Sequence, residues 1–247
     1  MITSPDNEKL KLIRKLRMKK HREKLALFVT EGEDLACAGL ASGLRPEALL
    51  TRPGFELEDA AGGPVPSDEV EPDLLDRASA MGSGSRVIAI WPERWSSPQD
   101  LGGTCFFLDG IGDPGNIGTI IRTVDALVEG TVVLGPGCAD PFAPGSVRAS
   151  MGSIFNQPLV RAGVGETPEP RIAMVVGGGE APGPRKGPVT ICLGSEREGL
   201  SQATLNQCGV RWTVPQRERG AESLNVAAAA AIACERVSSP MAAGETS

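Results

Sequence analysis

The chain has 247 residues, 40% of them apolar, with 25 Lys/Arg against 31 Asp/Glu and a formal net charge of −6. That length holds one large domain or two small ones around a buried core, and no apolar run approaches the roughly 18 to 20 residues that span a bilayer. The six cysteines, at 37, 105, 138, 192, 208 and 234, form no Cys-x-x-Cys pair, and His21 is the sole histidine, so disulfides, a metal site and a histidine-based triad are not expected.

The charge is uneven. Residues 1 to 28 carry nine Lys/Arg against three Asp/Glu, which leaves sixteen against twenty-eight in the remainder. A basic tip on an acidic protein points to a local anionic partner, and nucleic acid is the first candidate. The polar, charged N-terminus shows no signal-peptide pattern, so a reducing, cytoplasmic location is expected.

Ser4-Pro5 reads as an N-cap followed by a first-turn proline, and Leu10, Ile13 and Leu16 supply a helical stripe. The run from Arg17 to Lys24 follows, with Lys19, Lys20 and Arg22 as candidate phosphate contacts. Leu25 to Thr30 reads as a strand, Glu31 to Ser42 as a helix and Ala48 to Thr51 as a short strand. Residues 52 to 69, rich in Pro, Gly and acid, read as loop. A helix over Asp73–Ala80 and a strand over Arg86–Trp91 complete a small α/β unit, residues 1 to 95, and Ser96 to Gly103 reads as a linker.

From residue 104 to 237 strands and helices alternate. Apolar runs at Thr104–Leu108, Thr131–Leu134, Ile172–Val176, Val189–Leu193 and Trp212–Val214 predict a mainly parallel sheet covered on both faces. The tail, 238 to 247, reads as disordered.

Three strand ends carry polar and glycine residues. After the first, Asn116-Ile117-Gly118-Thr119-Ile120-Ile121-Arg122 opens a helix whose apolar stripe is Ile117, Ile120, Ile121, Val124 and Leu127. Arg122 falls off that stripe and faces either a ligand or Asp125, three residues on; Asn116 either caps the helix or holds Arg122 and a substrate. After the fourth strand comes Gly194-Ser195-Glu196-Arg197-Glu198-Gly199-Leu200, where Glu196 is a candidate partner for Arg122 or for a ligand hydroxyl. After the fifth, Ser223-Leu224-Asn225-Val226 opens an Ala-rich helix, with Ser223 and Asn225 suited to its first-turn amides. Parallel α/β sheets bind ligands at the edge formed by such strand ends. The Gly-x-Gly-x-x-Gly string at Gly110, Gly112 and Gly115 is broken by Pro114, which argues against a dinucleotide-dependent dehydrogenase.

These three stretches, in this order, resemble the motifs of the SpoU/TrmH family of RNA ribose 2′-O-methyltransferases. Arg148-Ala149-Ser150-Met151-Gly152-Ser153 is similar to the segment between the family's first and second motifs, and the resemblance covers about 104 to 237. The first unit, through Arg22 and Phe28-Val29-Thr30-Glu31-Gly32, resembles the L30e-like substrate-binding domain of many members. The resemblance implies a catalytic sheet with a C-terminal trefoil knot, a homodimer, no metal, and S-adenosylmethionine as cofactor. It implies Asn116, Arg122, Glu196, Ser223 and Asn225 as the catalytic set, with Gly194, Val214 and Leu224 bordering the cofactor. The implied substrate is RNA, with 23S rRNA expected ahead of tRNA; the alternative is a non-catalytic RNA-binding factor in ribosome assembly. One departure bears on that alternative: the loop from Pro215 to Ser223 is one residue longer than the family's usual spacing, has Gln216 in place of methionine, and carries Arg217, Glu218 and Arg219.

Overall fold

The computed structural model describes residues 1–58, 63–80, 82, 84–185, 187–217, 220 and 223–238. The expected disordered tail beyond 238 therefore lies outside the described residues, as do Glu218 and Arg219 of the charged loop. The chain forms α1 (Glu8–Leu16), α2 (Lys19–Leu25), β1 (Leu27–Glu31), α3 (Glu33–Ala41), β2 (Ala48–Thr51), β3 (Asp68–Glu69), α4 (Pro72–Ala78) and β4 (Val87–Pro92). There follow β5 (Thr104–Asp109), α5 (Pro114–Leu127), β6 (Gly130–Leu134), α6 (Pro144–Ser150), β7 (Leu159–Arg161), β8 (Arg171–Met174), β9 (Val189–Gly194), α7 (Gln202–Leu205), β10 (Val210–Trp212) and α8 (Val226–Ser238).

The chain divides into two compact units, Met1–Arg94 with Asp140–Asn156, and Trp95–Ala139 with Gln157 onward. By packing, Asp140–Asn156, which lies within the 104–237 stretch, belongs to the first unit.

The reason lies in β4. The first unit's sheet has strand order β1-β4-β2-β3, so β4 is central and antiparallel to both β1 and β2. Val87, Ile88, Ala89, Ile90 and Trp91 are all buried. Side chains alternate along a strand, so such a run needs cover on both faces. Ile88 and Ile90 pack with Leu10, Ile13 and Leu16 of α1 and Leu74 and Leu75 of α4. On the other face the Trp91 ring meets Phe155 edge-on at 4.9 Å between centroids, and Phe28, paired with Trp91 across the strands, meets Phe142 at 4.9 Å. Trp91 Nε1 donates to Thr30 Oγ1 at 2.8 Å. Gly39 in α3 lies so close that a Cβ there would sit 2.6 Å from the Trp91 ring. Segment 140–156 thus supplies both phenylalanines, Phe142 and Phe155, that cover this face.

The same segment corrects the expectation for Arg22. Its residue is 3% exposed. Nε and Nη2 donate to Asp140 Oδ2 at 2.9 and 2.7 Å, and Nη1 donates to the carbonyls of Leu16 and Arg17 at 2.7 and 2.9 Å. Arg22 is a buried structural cation rather than a phosphate contact, while Lys19 and Lys20 beside it are exposed. The helix start is also corrected: Asn7, not Ser4, caps α1, accepting from the Lys9 amide at 2.9 Å, and Pro5 stands before the helix.

In the second unit six strands run parallel in the order β10-β8-β9-β5-β6-β7, the expected α/β fold with a parallel sheet. The strand β7, Leu-Val-Arg, was not among the expected apolar runs. The helix α5 packs on α8 and β6, and α8 also packs on β9. Its buried residues, Val226, Ala227, Ala230, Ala233 and Cys234, form one stripe at helical spacing, so the Ala-rich helix lies against its own chain. Leu127 is 46% exposed and does not belong to the α5 stripe. All six cysteines are free, and burial pushes the Cys105 thiol up to about 11 and the Cys234 thiol up to about 12. Among the described residues no helix is long and apolar enough to cross a membrane.

Replacing Arg22 with Met leaves Asp140 buried without its countercharge. A loss of roughly 3–5 kcal/mol is expected from breaking a buried pair this way, against under about 0.5 kcal/mol for the exposed Lys20→Met. Urea unfolding of the two variants measures the contrast.

Candidate functional site

Because the sheet is parallel, β5, β8, β9 and β10 all end at one edge. β5 and β9 are paired from Thr104↔Val189 to Asp109↔Gly194, so their last residues lie side by side. The chain runs from β5 outward to β6 and β7 and then crosses to the other side of β5, which makes the β5–β9 boundary the switch point where such sheets open a crevice.

A cavity of about 610 Å³ opens beside that boundary, at the ends of β8 and β9. Its walls come from the β8 end (Met174–Val176), the stretch Leu193–Leu200, Val214 with Gln216, and Ser223–Leu224 with Val226. All three expected cofactor neighbours, Gly194, Val214 and Leu224, line it, as do Glu196 and Ser223.

The turn after β9 is tight. Ser195 and Gly199 exchange both backbone hydrogen bonds, at 3.1 and 3.0 Å. This return lays the Gly199–Leu200 peptide on Gly194, where a Cβ would stand 2.1 Å from the Gly199 carbonyl carbon. Gly199 itself has φ +69°, a conformation that favours glycine. The helix expected after this stretch is the four-residue α7, capped by the Ser201 hydroxyl on the Thr204 amide at 3.3 Å.

Three polar side chains meet beside the cavity. Asn116 Nδ2 donates to Glu196 Oε1, and Asn225 Nδ2 donates to Asn116 Oδ1 at 3.1 Å. Asn225 Oδ1 accepts from the Ala227 amide at 2.9 Å and so also caps α8. The cap of α5 is Asp113, whose carboxylate accepts the Asn116 amide at 2.7 Å; the Asn116 side chain is left for Glu196 and Asn225. Each amide group thus has one oxygen and one nitrogen committed, which fixes its orientation.

Two expected residues stand apart from this network. Arg122 is exposed on α5, makes no ion pair with Glu196 or Asp125 among the described residues, and does not line the cavity. The expected Arg122–Glu196 pair is replaced by the Asn116–Glu196 bond. Ser223 is exposed at the cavity and makes no hydrogen bond among the described residues. Lys19 and Lys20 belong to the first unit. The sequence reading missed Met174, Val175, Val176, Leu200 and Gln216 as cavity residues. The signal for the β8 end was present in the glycines at 177–179, which follow it directly. Among the described residues, no group of three or more His, Cys, Asp or Glu is placed to hold a metal ion.

The cavity lies in the volume range of small-molecule sites and combines apolar walls with a few convergent polar groups. Fold and site together define a parallel α/β protein with a ligand crevice at its strand ends. Comparison with known proteins specifies the kind. Residues 103–235 match the model of the SpoU rRNA methylase family, and residues 7–89 match that of the MRM3-like substrate-binding domain. The chain is 32% identical to the Bacillus subtilis 23S rRNA (guanosine(2553)-2′-O)-methyltransferase RlmP, over 94% of this chain and 96% of the relative. It is 36% identical to the Streptomyces viridochromogenes 23S rRNA (uridine(2479)-2′-O)-methyltransferase, over 50% of this chain and 48% of the relative. The crystal structure of an AdoMet-bound rRNA methyltransferase from Sinorhizobium meliloti superposes with a TM-score of 0.82 at 29% identity, covering 95% of each chain. The chain belongs to the SpoU rRNA methylase family, the family its three motifs resemble.

Gly194→Ala places a methyl group inside the returning turn. The turn is expected to open, and trypsin should then cut after Arg197, at its tip, at least about tenfold faster than in the parent chain, since cleavage follows local opening. Mass spectrometry of the early fragments identifies the site.

Proposed function

We propose that this chain transfers a methyl group from S-adenosylmethionine to a ribose 2′-hydroxyl of RNA, with 23S rRNA as the substrate. The observation that carries the reading is the adjacency of the glycine-walled cavity to the Glu196–Asn116–Asn225 chain at one sheet edge. Family membership and the 23S rRNA 2′-O-methyltransferases among its relatives support the same reading.

When bound, S-adenosylmethionine supplies an electrophilic methyl group on a good leaving group. The residues that would hold it are Gly194, Val214 and Leu224, which border the cavity with backbone and apolar surface. The close packing of Gly199–Leu200 on Gly194 gives that wall one fixed shape. What is left for the protein is to orient the 2′-hydroxyl and manage its proton. Glu196 and Asn116, locked to one another, present a carboxylate oxygen and an amide hydrogen at the cavity mouth to a ribose hydroxyl. The free hydroxyl of Ser223 adds a third polar contact. The role of Arg122 is to hold the phosphate of the reacting nucleotide and stabilise the developing alkoxide.

The reading includes a homodimer, the assembly the family resemblance implies, a C-terminal trefoil knot, and a cytoplasmic location beside the ribosome. Arg122, outside its own chain's cavity lining and unpaired among the described residues, is in a position to serve an interface as well as a phosphate. Lys19 and Lys20 supply exposed positive charge on the substrate-binding unit.

Transfer of labelled methyl from S-adenosylmethionine to ribosomal RNA tests the reading, with mapping of the product to a 2′-O-methylated nucleotide of 23S rRNA. Label entering tRNA instead would move the substrate assignment; S-adenosylmethionine failing to bind while RNA still binds would favour a non-catalytic assembly factor. Arg122→Ala is expected to lower the transfer rate by roughly 10²–10³-fold while the affinity for S-adenosylmethionine stays within about threefold. The double variant Lys19→Gln, Lys20→Gln should weaken RNA binding and flatten the log K against log salt slope by about 1.5, the value for two lost phosphate contacts. An unchanged slope would remove α2 from the RNA surface.

A further inference from the structure

We propose that Asp109 is a positioning residue for the cofactor site, acting through the amide of Ser201; this inference rests on the methyltransferase reading above. Asp109 is the last residue of β5, half-buried, and its Cα lies opposite Gly194. It does not line the cavity. Its carboxylate Oδ2 accepts a hydrogen bond from the Ser201 N–H at 2.8 Å, its one hydrogen bond among the described residues.

The location of that bond gives it leverage. The segment between Gly194 and Ser201 leaves β9, turns at Glu196–Arg197–Glu198 and comes back. Its near leg is fixed by the β5–β9 ladder through Gly194. Ser195 and Gly199 tie the two legs to each other. Leu200 on the returning leg packs in the apolar cluster with Cys105, Phe107 and Cys192, but the Ser195–Gly199 pair ties that leg by hydrogen bonds only to its own turn. The Asp109–Ser201 bond is a second point at which the turn is tied to the sheet, and it acts at the far end of the leg. Ser201 is the N-cap of α7, so its N–H has no acceptor within that helix. Asp109 satisfies it with a charged acceptor, the stronger form of such a bond.

Two functional elements hang on this leg. Gly199 and Leu200 lie on Gly194 and form the cavity wall. Glu196, at the turn, holds the Asn116 side chain. Losing the anchor therefore loosens the wall first and shifts Glu196 second. A carboxylate one strand away from the site sets the shape of a site it does not touch.

The test uses the full chain with Asp109→Ala and Asp109→Asn, the second keeping an Oδ1 acceptor for the same amide. Hydrogen exchange of the Ser201 amide is measured without ligand, and the Kd for S-adenosylmethionine by calorimetry. Asp109→Ala should speed Ser201 exchange and raise both Kd and the KM for S-adenosylmethionine on the order of fivefold, the equivalent of about 1 kcal/mol for one solvent-accessible hydrogen bond. kcat should fall by less than KM rises. Asp109→Asn should stay within about twofold on every measure.

A second pair of variants removes the bond from the other end. Ser201 has φ −61°, which proline adopts, so Ser201→Pro deletes the donor and should reproduce the loss of affinity. Ser201→Ala, which loses only the α7 cap, should not. The proposal is overturned if Asp109→Ala or Ser201→Pro binds S-adenosylmethionine as tightly as the parent, or if Asp109→Asn is as weak as Asp109→Ala. A parent chain that bound no S-adenosylmethionine would sink the methyltransferase reading and with it the cofactor role, while Ser201 exchange in Asp109→Ala would still score the anchor itself.

Discussion

The parallel pairing of β5 with β9 is the constraint on which the site depends. It brings Asp109 and Gly194, 85 positions apart in the chain, to the same level of one sheet edge. Everything polar in the site is delivered by chain that leaves that edge: Asn116 by the helix after β5, Glu196 by the turn after β9, and Asn225 by the start of α8, which packs on α5. A one-residue slip in this register would send the alternate side chains of β5 and β9 to the wrong faces. Cys105, Phe107 and Cys192 would leave the apolar cluster they share with Val133 and Ala173. Core packing and site geometry are therefore fixed by the same pairing.

The first unit is governed by a different demand, the two-sided burial of β4. Beside α1 and α4 on one face, only α3 of the first unit's own helices packs on the face of Trp91. Borrowing Asp140–Asn156 from the middle of the catalytic sequence completes the cover of that face with Phe142 and Phe155. The Arg22–Asp140 pair anchors the start of the borrowed segment, and removing either partner would leave the other charge buried and unpaired.

Much of this was legible in the sequence because it is local. Strand runs of three to six residues, the Ile117–Val124 stripe and the glycine-rich turn at 194–199 each report their own conformation, and the stretches 116–122, 194–200 and 223–226, in that order, carry the family resemblance. What was not legible is non-local. The burial of Arg22 depends on Asp140, which lies 118 residues away, and a basic run looks the same whether one of its members is buried or not. Glu196 was a candidate partner for Arg122 or for a ligand hydroxyl; within the chain the structure joins it to Asn116, because position on α5 decides reach before charge decides preference. Val87–Trp91 announced a strand, but its unbroken apolar character also called for a second cover, which α3 supplies only in part and the distant Phe142 and Phe155 complete.

The borrowed segment has a consequence for the order in which the chain acquires structure. A core that needs Asp140–Asn156 cannot close when residue 95 has been made; β5, α5 and β6 must be synthesised first. The entropy of closing so long a loop grows only slowly with its length, so the delay is one of timing more than of stability. Through that interval the aromatic face of β4 stands open in the nascent chain, a surface of the kind that chaperones and neighbouring chains recognise. The two units are thus obliged to fold as interleaved partners, and the substrate-binding part is completed only after the catalytic part has begun.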